Sequence, residues 1–302
     1  MKLRKQVIEE LAVSPGSSAD LAHRSTSETK THWLADTDGA SSPRDVAEHD
    51  LEAFRSELSA AQELLYATDT HSVLVILQAL DAAGKDGTIK HVMSGVNPQG
   101  CEVVSFKLPS AEELNHDFLW RCAKALPERG RIGIFNRSYY EEVLVTRVHP
   151  EILSHQRLPP EAEHAADLWS QRYEDINAFE RHLQRNGTHI VKLFLHVSKD
   201  EQKKRLLARL DDPAKNWKFS VGDLAERARY VEYQHAYEAA LTATSTPSAP
   251  WYVVPADRKH LTRALVGGIL VHTIDQLGLR SPKVSPDQLA ALDQARQSLL
   301  AE

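Results

Sequence analysis

The stretch that restricts this chain most is residues 77–93, LQALDAAGKDGTIKHVM. An apolar run at residues 71–78, HSVLVILQ, leads into it with the length and composition of a buried strand. A small-residue turn follows and ends in Gly84-Lys85-Asp86-Gly87-Thr88, after which helix-compatible residues resume. Strand, tight loop and helix start together make a phosphate cradle. Backbone N–H groups converge there, the helix dipole favours negative charge, and the lysine adds a full positive charge. Glycines that serve packing alone would give the same turn, but packing does not ask for a lysine and two aspartates in one loop.

Strands and helices alternate along the rest of the chain. Residues 73–78, 101–106, 131–136, 188–197 and 251–254 read as strands. Residues 45–66, 85–93, 111–126, 139–148, 159–185, 199–210, 221–242, 259–277 and 286–300 read as helices. In 45–66, Val46, Leu51, Phe54, Leu58, Ala61, Leu64 and Leu65 fall near one stripe. Ser110 with Glu113 reads as a cap for 111–126. The alternation predicts a three-layer α/β/α domain with a parallel sheet and ligands beyond the carboxyl ends of its strands. Residues 1–45 read as an N-terminal extension: a short helix at 2–13, then a Ser/Thr/Gly/Asp-rich stretch at 14–44 that argues for an irregular or mobile segment. Trp33 is the residue expected to anchor it. Residues 46–280 form the domain proper, and 281–302 add a closing helix.

Bulk properties exclude several function classes. A net charge of −6 means that positive charge for an anion must be concentrated locally, and nucleic acid is not an expected partner. Cys101 and Cys122 have no metal-ligand or redox spacing, which fits free thiols in a cytoplasm. The charged start is not followed by an apolar leader core, and no run of about 18 apolar residues occurs, so no membrane partner is expected. The histidines show no H-x-x-x-H or H-E-x-x-H spacing, which argues against zinc.

The loop departs from the G-x-x-x-x-G-K-[ST] form of a Walker A motif. Gly84 and Lys85 match, but Ala79 takes the place of the first glycine and Asp86 that of the metal-binding Ser/Thr. The metal duty therefore shifts to Asp81, a carboxylate inside the loop. A second constellation, IGIFNRS at residues 132–138, delivers Asn136 to a strand end where a Walker B strand would carry an aspartate. Arg137 beside it can clamp phosphate oxygens bidentately. A third, KKRLLAR at 203–209 followed by DPAKNWKFS at 212–220, places Arg205 and Arg209 on one helix face with Lys215 and Lys218 beyond a proline break. Alone it reads as a solvated basic face; beside the two loops it reads as a lid carrying cations over phosphates.

These motifs resemble polyphosphate kinase family 2, class III in particular. The resemblance rests on LQALDAAGKDGTIKHVMSGVNPQGCEVVSFKLPSAEELNHDFLWR, IGIFNRSYYEEVLVTRVHPE and DPAKNWKFS, and spans roughly residues 51–275. It implies a thymidylate-kinase-like P-loop fold with a helical lid. It also implies Mg²⁺-dependent phosphoryl transfer between inorganic polyphosphate and nucleotides, with AMP and ADP both accepted and ATP formed. Other branches carry an aspartate in place of Asn136 and a glycine in place of Asp86, so the departures read as a subclass signature.

Phosphoryl transfer needs alignment and charge neutralisation more than covalent help. Lys85 with Ala82, Ala83, Gly84, Asp86, Gly87 and Thr88 is expected to hold phosphates, and Asp81 to hold Mg²⁺, with Mn²⁺ as an alternative. Asn136 is expected to support metal or water. Arg137, with Arg147 less centrally, is expected to stabilise charge on the transferring group. Arg205, Arg209, Lys215 and Lys218 are expected along the lid or polyphosphate track. The resemblance further implies a homodimer or homotetramer. An ATP-dependent nucleoside monophosphate kinase and a non-catalytic polyphosphate or nucleotide binder remain as other readings of the same loop.

Overall fold

The apolar run that precedes the phosphate loop becomes the centre of the sheet. In the computed structural model of the protein, which describes residues 5–27 and 42–302, the first elements are α1 (Lys5–Leu11), α2 (Pro43–Thr68), β1 (Ser72–Ala79), α3 (Lys85–Val92), β2 (Cys101–Ser105) and α4 (Trp120–Ala123). Next come β3 (Ile132–Asn136), α5 (Glu141–Val148), α6 (Pro160–Glu163), α7 (Leu168–Arg185), β4 (Thr188–His196) and α8 (Lys199–Leu210). The chain closes with α9 (Gly222–Ala228), α10 (Tyr230–Thr244), β5 (Trp251–Pro255), α11 (Lys259–Asp275) and α12 (Pro286–Leu300).

The sheet order is β2-β3-β1-β4-β5, with every pairing parallel. β1 is buried along its whole length, as a strand with neighbours on both sides and helices on both faces must be. α2 and α3 pack with α11, while α5 and α7 pack with α10. α2 starts on a reciprocal cap between Ser42 and Asp45, with Pro43 at its first position. Its stripe of Leu51, Phe54, Leu58 and Leu65 is buried, and each such side chain stabilises the fold by ~1.5–3 kcal/mol.

Three expected helices come out interrupted. Ser110 and Glu113 exchange their capping bonds, yet only a 3₁₀ turn at Glu113–Asn115 and the short α4 form. Asp117 intervenes: its carboxylate accepts from the Leu119 amide at 2.9 Å, a local turn that competes with the helix. The expected helix at 159–185 splits into α6 and α7, with Asp167 at the start of the second. The one at 221–242 breaks at Arg229, whose guanidinium turns to the Val148 carbonyl.

Residues 14–27 are the irregular part of the N-terminal segment. They lack regular structure but are tied to the domain: Glu238 accepts from Ser18 Oγ and from the amides of Asp20 and Leu21, and Arg24 donates to the carbonyls of Ala12 and Ala19. Val7, Ile8, Val13, Ala19 and Leu21 join the core. Composition does not show this docking, because the few apolar side chains in a polar segment are the ones that dock. Trp33, the expected anchor, lies outside the described residues.

One charged cluster sits inside the core. Lys192 on β4 is fully buried, and its Nζ donates to Glu180 Oε2 and the Thr244 carbonyl at 2.6 Å each. Glu180 Oε1 also accepts from the hydroxyls of Tyr139 and Tyr140 at 3.0 and 2.8 Å. Those tyrosines follow directly on the 136–138 loop, so the cluster anchors that loop from below. Lys192→Met leaves a buried carboxylate without its cation and should cost ~3–5 kcal/mol in chemical denaturation. Combining it with Glu180→Gln, which removes that charge, should recover much of the loss.

Candidate active site

Two polar loops converge beyond the carboxyl ends of β1 and β3. Gly84 caps α3 with φ +109°, a conformation that glycine alone adopts freely. Ala82 and Arg137 also sit in the left-handed region, at φ +62° and +66°, where a side chain costs roughly 1–2 kcal/mol. Such strain gathers where a site needs a fixed backbone shape. The first bond inside α3 runs from the Thr88 amide to the Gly84 carbonyl at 2.9 Å. The amides of Lys85, Asp86 and Gly87 before it have no carbonyl partner within the helix, whereas the Ala83 amide is bonded to the Leu80 carbonyl at 3.2 Å. Thr88 therefore does not offer its amide to a phosphate, contrary to the sequence expectation.

The loops share charged partners. Arg137 Nη2 donates to Asp81 Oδ1 at 2.7 Å, and Arg137 Nη1 lies 3.7 Å from Glu141 Oε2. Asn136 Nδ2 donates to Asp86 Oδ1 at 2.9 Å and to Ser105 Oγ at 3.3 Å. The two departures from the motif are thus in contact: Asn136 at the end of β3 meets the Asp86 carboxylate of α3. Lys85 Nζ is buried and donates to the Ala79 carbonyl at 2.7 Å. Burial, and then the nearby Arg137 charge, lower the Lys85 ammonium to about 8. Burial raises the Glu141 carboxyl, against the pull of Arg137 and Lys85.

Arg205 corrects one expectation. It does not line a polyphosphate track: it is buried, and its guanidinium donates to Glu201 Oε1 and to the carbonyls of Ala82, Ala83, Ala256 and Asp257. That uses its full set of N–H groups. It braces the phosphate loop from behind, helped by Gln202 Nε2 on the Asp81 carbonyl at 3.0 Å. Arg147 is hydrogen-bonded to the Tyr173 hydroxyl at 2.7 Å. Arg209 pairs with Asp223 at 3.4 Å. Lys215 pairs with Asp212, and Lys218 stands 5.0 Å from the Trp217 ring centre. Lys215 and Lys218 are exposed.

Glu141, Gln202 and Asp223 carried no assigned role in the sequence. Glu141 was detectable, four residues after Arg137 and in the first turn of a helix, a spacing that pairs charges. Gln202 and Asp223 reach the site only through the tertiary fold, and no local pattern marks them.

Comparison with known proteins decides what this arrangement belongs to. A family model described as polyphosphate kinase 2 (PPK2) matches residues 41–281. The chain belongs to the polyphosphate kinase 2 family. A protein of Rhodopseudomonas palustris named ADP-polyphosphate phosphotransferase is 54% identical over 256 residues, covering 84% of this chain and 89% of its own length. A Meiothermus ruber protein named AMP/ADP-polyphosphate phosphotransferase is 47% identical over 248 residues, covering 82% and 88%. The crystal structure of polyphosphate kinase 2 from Arthrobacter aurescens TC1 superposes with a TM-score of 0.85 at 40% identity, covering 98% of this chain and 99% of that one.

The donor set of this polyphosphate kinase 2 suits a magnesium ion shared with substrate. Among the described residues no group of three or more His, Cys, Asp or Glu side chains is placed to hold a metal. Mg²⁺ in phosphoryl transfer needs only one or two carboxylates, with phosphates and water completing its shell. Asp81 and Asp86 line the loop that would supply them.

Two measurements follow from the geometry. The free enzyme loses the Lys85 charge as pH rises through about 8, so kcat/KM for the phosphate substrate should fall above that value. The unfolded chain holds this proton up to the ordinary 10.5 and binds more protons between the two values. The Lys85 contribution to stability should therefore rise with pH across that window, by up to about 3 kcal/mol, and Lys85→Met should flatten the rise in denaturant titrations. Separately, Asn136→Asp sets two carboxylates in contact and should lower kcat/KM by about tenfold or more. Adding Asp86→Asn should restore most of that loss in a double-mutant cycle.

Proposed function

We propose that this polyphosphate kinase 2 transfers phosphoryl groups between inorganic polyphosphate and nucleotides, converting AMP to ADP and ADP to ATP with Mg²⁺ as cofactor and Mn²⁺ as an alternative. The carrying observation is the Asp81–Arg137 pair beside a glycine-capped helix start. The names of the Rhodopseudomonas and Meiothermus relatives support polyphosphate and adenosine nucleotides as the reactants, and the latter name supports acceptance of both AMP and ADP. An ATP-dependent monophosphate kinase and a non-catalytic binder have no such support.

The chain's own groups act mainly by position. The amides at the start of α3 and the Lys85 ammonium hold the transferring phosphoryl group and the oxygens next to it. Arg137 neutralises charge that spreads over the equatorial oxygens in the transition state. Asp81 and Glu141 hold that guanidinium between them. The acceptor phosphate is already ionised at neutral pH, so no general base of high pKa is required. When bound, Mg²⁺ would supply further charge neutralisation on the bridging oxygens, with Asp81 and Asp86 as its carboxylate partners. Arg209, Lys215 and Lys218 would draw the next phosphates of the chain under the lid.

Nucleotide substrates and two unpaired cysteines support a cytoplasmic enzyme. Among the described residues no helix is long and apolar enough to cross a membrane. Exposed Leu289, Leu292, Leu299 and Leu300 on α12 support self-association into a homodimer or homotetramer.

AMP incubated with polyphosphate and Mg²⁺ should yield ADP and then ATP in succession; product from ATP but none from polyphosphate would instead favour the monophosphate-kinase reading. Asp81→Asn and Lys85→Ala should each lower turnover by about 10²–10³, and near wild-type rates in either would remove that residue from the site.

A further inference from the structure

Positive charge without a partner gathers at the start of α11. Lys259 and Arg263 are four residues apart in that helix, so they share one face and stand about 6 Å apart along its axis. Lys259 is exposed and Arg263 half-buried. Among the described residues neither forms a salt bridge or a side-chain hydrogen bond. The carboxylates whose charge reaches them are engaged elsewhere: Glu201 accepts from Arg205 at 2.9 Å, and Glu48 from Arg44 at 2.8 Å.

Other cations crowd the pair. Burial, and then the Arg205 charge, lower the Lys259 pKa, and Arg263 and Lys215 of the lid act in the same sense. Burial, and then the Arg55 charge, lower that of Arg263, again with Arg205. Arg55 is itself held by the His91 carbonyl and by Glu52. In a chain of net charge −6 such a gathering of like charge opposes itself, and an anion seated there relieves the repulsion.

The row starts at the phosphate loop. α11 packs with α3, and a β-carbon on Gly87 would lie 3.7 Å from Arg263 Nη2. Gly87 belongs to the first turn of α3, where amides have no carbonyl partner within the helix. Arg205 fixes the two parts to each other: it holds the carbonyls of Ala82 and Ala83 in the loop and those of Ala256 and Asp257 just before α11. Lys259 lies one turn earlier than Arg263 and is the one on which the lid cation Lys215 acts. The order from the loop outward is therefore Arg263, Lys259, Lys215. A line of single positive charges suits an anion whose charge repeats along its length.

We propose that Arg263 and Lys259, with Lys215 of the lid, form the track on which a polyphosphate chain runs outward from the phosphate loop, so that the start of α11 sets a preference for long chains over short ones. This rests on polyphosphate being the phosphoryl donor. The test is equilibrium binding of tripolyphosphate and of long-chain polyphosphate to the full chain without nucleotide, with initial rates of ATP formation from ADP measured alongside. Wild type should bind the long chain more tightly. Lys259→Ala, an exposed change, should weaken the long chain by about tenfold and leave tripolyphosphate unaltered, whereas Arg263→Ala, beside the first turn of α3, should weaken both. Each variant should also flatten the slope of log Kd for the long chain against log salt by roughly one, and Lys259→Arg should keep the wild-type values. Equal loss of both lengths in Lys259→Ala, or no loss in either alanine variant, would overturn the track. Binding that follows the expected pattern in a wild type that forms no ATP would support the track while telling against the proposed function.

Discussion

A loop that turns its amide N–H groups toward a ligand must turn its carbonyls the other way, and those carbonyls need donors of their own. In this protein Arg205 provides them. Its guanidinium meets the carbonyls of Ala82 and Ala83 on one side and those of Ala256 and Asp257 on the other. The left-handed Ala82 is affordable because of that brace. The arginine also leaves a full positive charge beneath the glycine-capped turn, so one side chain serves both shape and field. A lysine could not do this, since an ammonium has no planar fork to reach four carbonyls on two strand-end loops.

Above the brace, cations and anions alternate: Lys85, Asp81, Arg137, Glu141. With Arg137 between two carboxylates, the site is held together without substrate and is still rich in groups that prefer a phosphate. Preorganisation of this kind limits the reorganisation needed when charge develops in the transition state. The buried Lys192–Glu180 cluster supports it from the opposite end, through the paired tyrosines that follow Arg137.

Much of this was legible in the sequence. The order of strands and helices and the position of the phosphate loop follow from patterns that span only a few residues, and such patterns are visible locally. Asp81, Lys85 and Arg137 could be named because a charged residue in a tight turn has few structural reasons to be there. Arg205 was misplaced for the converse reason. An arginine on a polar helix reads as exposed until the fold shows which carbonyls it meets, and those lie 122 and 51 residues away in the chain. The contact between Asn136 and Asp86 was likewise invisible: each substitution can be read alone, but only the geometry shows that they compensate one another. The docking of the N-terminal segment was hidden as well, because a few docked side chains outweigh a polar average.

That segment also has a consequence for the outer borders of the sheet. Ala12 forms an antiparallel bridge with Tyr252, and the Val13 amide donates to the Trp251 carbonyl at 2.8 Å, so the chain's own beginning covers the free side of β5. At the opposite border β2 has β3 on one side and no partner strand on the other among the described residues, with Val103 47% exposed. An unpaired border strand is a template for further strands. Among the described residues the sheet is therefore covered in part along β5 and uncovered along β2, and β2 is the border that offers strand addition the longer template.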